Sequence, residues 1–134
     1  MSVPAPNSTA PKIMGAEKIK VIVSNIVPLN ELVTRFEFKR NDGTIFPTFS
    51  GGAHTMVEMQ DGDLKRMNPY SLMSDPAERD TYAISVRRDD HGRGGSLFLH
   101  QKVQVGATMT LSFPVNLFSF LLVRLLVLLV LLVL

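Results

Sequence analysis

The sequence predicts a mainly β protein, an antiparallel barrel of six short strands with one small helix. Two observations lead to this fold class. Apolar residues recur at every second position within short segments, and turn-forming residues separate those segments about once every dozen residues. A β-sandwich shows the same spacing, so it stays open as the competing architecture.

The first two segments alternate most clearly. Ile19, Val21 and Val23 share one face of the first strand, and Phe36 and Phe38 share one face of the second. This period of two is typical of strands with one buried face. The predicted strands cover residues 18–27, 32–39, 53–59, 67–73, 81–88 and 108–113.

Turn and cap residues predict how these segments are joined. Asn41-Asp42-Gly43 is a hairpin turn signal, and Gln60-Asp61-Gly62-Asp63 predicts a second turn. Ser96 is a favourable N-cap for a helix of about two turns over residues 97–101.

Length and composition limit the function classes. The 134 residues suffice for one core, the net charge of +2 gives no nucleic-acid footprint, and the absence of cysteine excludes disulfides and cysteine-ligated iron–sulfur or zinc centres. His54, His91 and His100 lack metal-ligand spacing, so no metal site is expected. We interpret His54 as a structural residue and the other two histidines as solvated.

The chain divides into three predicted parts. Residues 1–16 are rich in proline, alanine and serine and form a disordered lead-in without the features of a secretory signal, residues 17–118 form the barrel domain, and residues 119–134 form a low-complexity Leu/Val tail. We therefore expect a cytoplasmic protein.

The tail has no polar face. We expect the tail to be helical. As a helix, residues 117–134 would span about 27 Å, just under the roughly 30 Å of a bilayer's hydrocarbon core, and Arg124 would interrupt the span. We interpret the tail as a segment without a packing role, produced by a shifted reading frame or a truncated gene. Membrane association through residues 117–134 is the less favoured alternative.

A glycine-rich turn provides the first candidate binding feature. Gly92, Gly94 and Gly95 permit positive φ and close approach of a ligand, and Ser96 opens a helix whose first amides lack intrahelical partners. A phosphate there would gain these amides, the serine hydroxyl and the Arg93 guanidinium. An ordinary turn with a capping serine is the alternative.

A strand end provides the second feature. Tyr70 offers a flat ring and Ser71 a hydroxyl, while the small and polar Ala83, Ser85 and Arg87 share one face of the next strand and leave room for a flat ligand. Together with the anion turn, these residues favour a phosphate-bearing aromatic cofactor, a flavin. A core tyrosine without a ligand is the alternative.

Four segments in order then resemble the phthalate dioxygenase reductase family, and within it the reductase components of Rieske-type monooxygenases acting on carnitine, dimethylamine or vanillate. They are Asn68-Pro69-Tyr70-Ser71-Leu72-Met73-Ser74-Asp75-Pro76, Tyr82-Ala83-Ile84-Ser85-Val86-Arg87-Arg88, Gly92-Arg93-Gly94-Gly95-Ser96 and Pro114-Val115-Asn116-Leu117-Phe118. The resemblance covers roughly residues 17–118.

The resemblance implies a ferredoxin-reductase-like flavin domain, a six-stranded Greek-key barrel with one capping helix. It implies a flavin-dependent NAD(P)H:acceptor oxidoreductase component that binds FMN, with FAD as the alternative, and serves an oxygenase partner. Tyr70 would pack on the isoalloxazine and Ser71 would lie near its N5 edge. The implied cofactor-binding residues are Arg66, Asn68, Tyr70, Ser71, Ser85, Val86, Arg87, Arg93, Gly94, Gly95 and Ser96.

Two departures from the family pattern matter. The usual arginine two residues before the tyrosine is Asn68 here, so Arg66 or Arg87 is expected to supply the missing cation. The resemblance also stops after Phe118, so the chain is expected to carry the flavin third of an electron-transfer relay, without the nicotinamide and iron–sulfur domains. The alternatives are a non-catalytic truncated product, a membrane-attached barrel without redox activity and, on fold alone, an oligonucleotide-binding barrel.

Overall fold

The computed structural model describes residues 17–134, and for residues 117–121 it describes the backbone alone. The predicted lead-in, residues 1–16, lies outside the described residues. The elements in chain order are β1 (Lys18–Pro28), β2 (Val33–Arg40), β3 (His54–Asp61), β4 (Leu64–Ser71), β5 (Tyr82–Arg87), α1 (Gly95–Lys102), β6 (Thr108–Ser112) and α2 (Leu117–Val133).

The six strands form one sheet in the order β4-β3-β6-β1-β2-β5, and all neighbours are antiparallel. The sheet curls until its two outer strands approach each other. An isolated bridge joins Leu72, just after β4, to Ile84 on β5, and the Met73 amide donates to the Ala83 carbonyl at 2.8 Å. The predicted antiparallel barrel is confirmed in a partly closed form, and the sandwich alternative is wrong.

The core lies inside this curl, as the alternation predicted. Ile19, Val21 and Val23 from β1 are buried with Phe36 and Phe38 from β2. The same inner face continues through β3, β5 and β6, and Leu99 buries α1 against the end of the barrel. The core residues therefore come from every strand except β4.

The two predicted turns have different outcomes. Gly62 lies between β3 and β4 with φ of +61°, and Asp61 pairs with Leu64 across the hairpin, so the second turn is confirmed. Asn41-Asp42-Gly43 is a turn but does not form a hairpin, because β2 lies between β1 and β5. Local turn chemistry indicates a reversal of the chain, but the partner strand is chosen by pairing across the whole sheet.

The tail is helical, as expected. The helix α2 has 17 residues, and the side chains from Leu122 to its end at Val133 are exposed. Among the described residues, no helix combines the length and the apolar character that crossing a membrane requires.

Candidate functional site

The single bridge between β4 and β5 leaves a gap where the two strands diverge. Because the strands are antiparallel at Leu72 and Ile84, Ser71 and Tyr70 border the gap on one side. On the opposite side, at the corresponding positions of β5, lie Ser85 and Val86, and Arg87 follows at the exposed end of the strand. The gap thus brings together residues that lie more than ten positions apart in the sequence. We call it the β4–β5 gap.

The inner face of β4 leads from this gap to the start of α1. Arg66, Asn68 and Tyr70 alternate along the strand as half-buried side chains, whereas the residues between them are exposed. Asn68 Nδ2 donates to the Tyr70 hydroxyl at 3.3 Å. Burial raises the pKa of Tyr70 above its usual value, so its hydroxyl keeps its proton at neutral pH.

The glycine-rich turn packs directly on this row of side chains. A Cβ at Gly95 would overlap the Asn68 amide, and a Cβ at Gly94 would lie 2.9 Å from Arg66 Nη2. Arg66 Nη1 donates to the Arg93 carbonyl. The structure therefore places the tyrosine and the glycine-rich turn on one continuous surface, which we call the β4–α1 groove.

The start of α1 differs from the prediction. Gly94, with φ of +100°, is the N-cap and makes no side-chain cap bond, so the prediction that Ser96 caps the helix is wrong. The physical reason is that glycine readily takes the left-handed conformation. Gly94 can therefore occupy the N-cap position, and the helix begins at Gly95. Phe98 N donates to Gly94 O at 2.9 Å, so the preceding amides of the first turn have no acceptor within the helix.

Ser96 instead stabilises the turn through a side-chain hydrogen bond. Its hydroxyl oxygen accepts from Asp89 N at 2.9 Å, and Asp89 Oδ1 accepts from His91 N at 3.0 Å. The Ser96 hydroxyl proton stays available for a ligand, because the hydroxyl acts as an acceptor in this bond.

Arg66 lies in a charged cluster beside the groove. Arg66 Nε is 3.3 Å from Asp61 Oδ2, and Lys102 Nζ is 2.8 Å from Asp61 Oδ1. The Lys102 ammonium, and after it the Arg66 guanidinium, holds the pKa of Asp61 below its usual range. Asp61 therefore holds the cation of Arg66 next to the helix start.

The side chains predicted to bind the cofactor from β5 and from Arg93 differ in how deeply they are buried. Ser85 is half-buried opposite Arg35 of β2, and Arg87 is exposed at the end of the strand. The Val86 side chain belongs to the core, and its carbonyl is 2.8 Å from His100 Nε2. The Arg93 side chain is exposed, and its carbonyl is the group that contacts Arg66.

Sequence reasoning did not predict the partners of two histidines. His100 was expected to be solvated, but it is half-buried, lies edge-on to Phe36 and binds the Val86 carbonyl, so it fastens α1 to β5. His54 binds Ser71 through Nε2 at 3.1 Å. Its position next to glycines gave no signal of that partner. Among the described residues, no cluster of three or more histidine, cysteine or acidic side chains is arranged to hold a metal ion.

Comparison with known proteins supports a relationship over the barrel. The chain is 47% identical over 103 residues to the carnitine monooxygenase reductase subunit of Escherichia coli, which covers 77% of this chain and 32% of that protein. The solved structure of phthalate dioxygenase reductase, described as modular for electron transfer from pyridine nucleotides to [2Fe-2S], superposes with a TM-score of 0.69 at 29% identity. The superposition covers 74% of this chain and 30% of that one.

A third comparison concerns the cofactor. The FAD/NAD-binding domain of nitric oxide dioxygenase from Vibrio cholerae superposes with a TM-score of 0.65 at 25% identity, covering 72% of this chain and 43% of that one. No protein-family model matches the chain. The resemblance to the reductase subunits of Rieske-type oxygenases is confirmed, and the chain spans about a third of the length of the curated relatives that it matches.

Proposed function

We propose that this barrel, which is similar to the flavin domain of oxygenase reductases, binds one flavin nucleotide, FMN in preference to FAD. The observation that carries the proposal is the continuous surface of the β4–β5 gap and the β4–α1 groove. It joins Tyr70 to the amides at Gly94 and Gly95 through a single side chain, Asn68. The flat ring of a flavin would lie at the Tyr70 end of this surface, and its phosphate at the glycine end.

The ring end of the surface suits an aromatic heterocycle. Tyr70 is half-buried against the core and offers an apolar face. Ser71, Ser85 and the backbone edges of the two diverging strands supply hydrogen-bonding groups around the gap. A planar ring with polar edges would satisfy these groups without closing the barrel.

The phosphate end suits a monoester dianion. The first amides of α1 carry partial positive charge and point out of the helix start. Arg66 lies against Gly94, and the Ser96 hydroxyl can donate from the same turn. One helix start with one adjacent arginine matches a single phosphate, which favours FMN. FAD would have to extend its second phosphate beyond the turn.

The bound flavin would supply the redox chemistry, accepting electrons in a pair and releasing them singly, while the protein orients the ring and sets its hydrogen bonds. Tyr70 would hold the ring face, and the proposed phosphate ligands would fix the position of the whole nucleotide. Arg66 takes the role of the family's arginine, since Asn68 occupies that position here.

We further propose that the physiological electron acceptor is an oxygenase component and that NAD(P)H is the electron source. The support is the similarity to reductase subunits such as that of carnitine monooxygenase. Because the chain spans about a third of those proteins, this activity belongs to the proposal for the whole assembly.

The test compares three ligands that differ only at the phosphate end. Titration of the full chain with FMN, FAD and riboflavin, followed by quenching of flavin fluorescence, should give the tightest binding for FMN. Riboflavin should bind at least about tenfold more weakly, because it lacks the charge-assisted bonds to the α1 turn. Equal affinity for FMN and riboflavin would refute the phosphate site, and no binding of any flavin would refute the proposed function.

A further inference from the structure

A chain of hydrogen bonds runs from a loop carbonyl through His54 to Ser71 at the edge of the β4–β5 gap. His54 Nδ1 is 3.0 Å from the Gly52 carbonyl oxygen, and His54 Nε2 is 3.1 Å from Ser71 Oγ. The two residues face each other because His54 and Ser71 are paired across β3 and β4. The contact between His54 and Ser71 therefore follows from the register of β3 and β4.

The chemistry of these groups fixes the direction of each bond. A carbonyl oxygen only accepts, so Nδ1 must carry the proton that binds Gly52. A neutral imidazole has one N–H, which leaves Nε2 as an acceptor. Ser71 must then donate its hydroxyl proton to His54, so its oxygen can only accept a hydrogen bond from any further partner.

The loop that supplies the Gly52 carbonyl is itself held in place. Asn116 Nδ2 donates to Ser50 Oγ at 3.1 Å and to the Gly51 carbonyl at 3.2 Å. The backbone of His54 exchanges two bonds with Val115, at 2.7 and 2.8 Å. The tautomer of His54 thus depends on a loop fastened to the segment that follows β6.

We infer that His54 is a positioning residue that makes Ser71 a hydrogen-bond acceptor toward the ligand in the gap. This inference rests on the proposed flavin site. The family resemblance implies that Ser71 lies near the N5 edge of the ring. An acceptor there favours the reduced ring, which has an N–H at N5, over the oxidised ring, whose N5 can only accept. The pair would therefore bias the site toward reduced flavin, although neither residue takes part in phosphate binding.

The first arm of the test needs no flavin. Nitrogen-detected NMR of the imidazoles should show the neutral His54 ring protonated at Nδ1, and Ser71→Ala should shift the Nε2 resonance of that ring alone. A His54 ring protonated at Nε2 in the wild type would overturn the inference. Ser71 is exposed, so the Ser71→Ala variant should fold.

The second arm measures the affinities for oxidised and for anaerobically reduced FMN in His54→Ala, Ser71→Ala and the double variant. Each single substitution should lower the preference for reduced FMN about fivefold, the worth of one hydrogen bond, and the double variant should lower it no further. Met56→Ala, on the same strand and face as His54, is the control and should leave the preference unchanged.

The outcomes separate the two proposals. If the wild type binds FMN and the two single substitutions have no effect or add independently, the inference is wrong and the flavin site stands. If the wild type binds neither redox form of FMN, the proposed function fails and this inference fails with it.

Discussion

The left-handed glycine at the start of α1 gives the sharpest structural prediction. Gly94→Ala places a side chain at φ of +100°, which costs about 1–2 kcal/mol in backbone strain. The new Cβ would lie 2.9 Å from Arg66 Nη2, so the guanidinium must shift, and its bond to the Arg93 carbonyl is weakened. Weakening that bond adds up to about 1 kcal/mol, for a total of roughly 1–3 kcal/mol.

Gly106 is the matched control for this substitution. Its φ is +93°, nearly that of Gly94, but a Cβ there meets nothing within 4 Å. Gly106→Ala should therefore cost only the strain, about 1–2 kcal/mol. Urea denaturation measures both losses of stability, and FMN titration measures their effect on the site.

We expect Gly94→Ala to weaken FMN binding at least about tenfold, because the phosphate would lose both the turn geometry and the Arg66 cation. Gly106→Ala should bind FMN as the wild type does. If the two variants lose the same stability and bind FMN equally, the reasoning that places Arg66 and the phosphate at this turn is wrong.

Arg66, Glu58 and the tail each allow a separate test. In fluorescence titrations, Arg66→Ala should weaken FMN binding roughly tenfold and leave riboflavin binding unchanged. Arg87→Ala, at the exposed end of β5, should change the binding of neither ligand. Weaker FMN binding by Arg87→Ala than by Arg66→Ala would contradict this assignment. The Lys18 hydrogen bond holds the pKa of Glu58 below its usual value of 4.5, so Glu58 stabilises the fold above that pH and loses this effect as the pH falls through its folded pKa. In urea denaturation, Glu58→Gln should have a lower free energy of unfolding than the wild type at pH 7, and this difference should shrink in acid. A difference that does not change with pH would contradict the role assigned to the Glu58 carboxylate. Deleting residues 120–134 should reduce aggregation in light scattering, because all side chains of 122–134 except that of Arg124 are exposed and apolar. Unchanged scattering would show that the tail is not the cause of aggregation.

The sequence could predict the features that depend on neighbours along the chain. The alternation of Ile19, Val21 and Val23 marks the buried face of β1 because a strand turns successive side chains to opposite sides. The helix after the glycine run and the hairpin at Gly62 follow from equally local chemistry. The family motifs then pointed to the two segments of the candidate site, which lie on one surface in the structure.

The remaining features depend on residues that are far apart in sequence. Ser96 has the chemistry of an N-cap, but its oxygen is taken by the Asp89 amide and Gly94 holds the cap position. His54 meets Ser71 only because β3 and β4 pair in one register, and His100 meets Val86 only because α1 packs on β5. No local pattern in the sequence reports these partners.

In the proposed arrangement, one continuous surface holds both the ring and the phosphate of a flavin nucleotide. An amide NMR titration of the full chain with FMN distinguishes this arrangement from binding at one end alone. We predict that Tyr70, Gly94 and Gly95 shift together along one binding curve, while Gly43, in a turn outside the proposed site, does not move. Shifts confined to one end of the surface, or centred on residues elsewhere in the barrel, would contradict the claim.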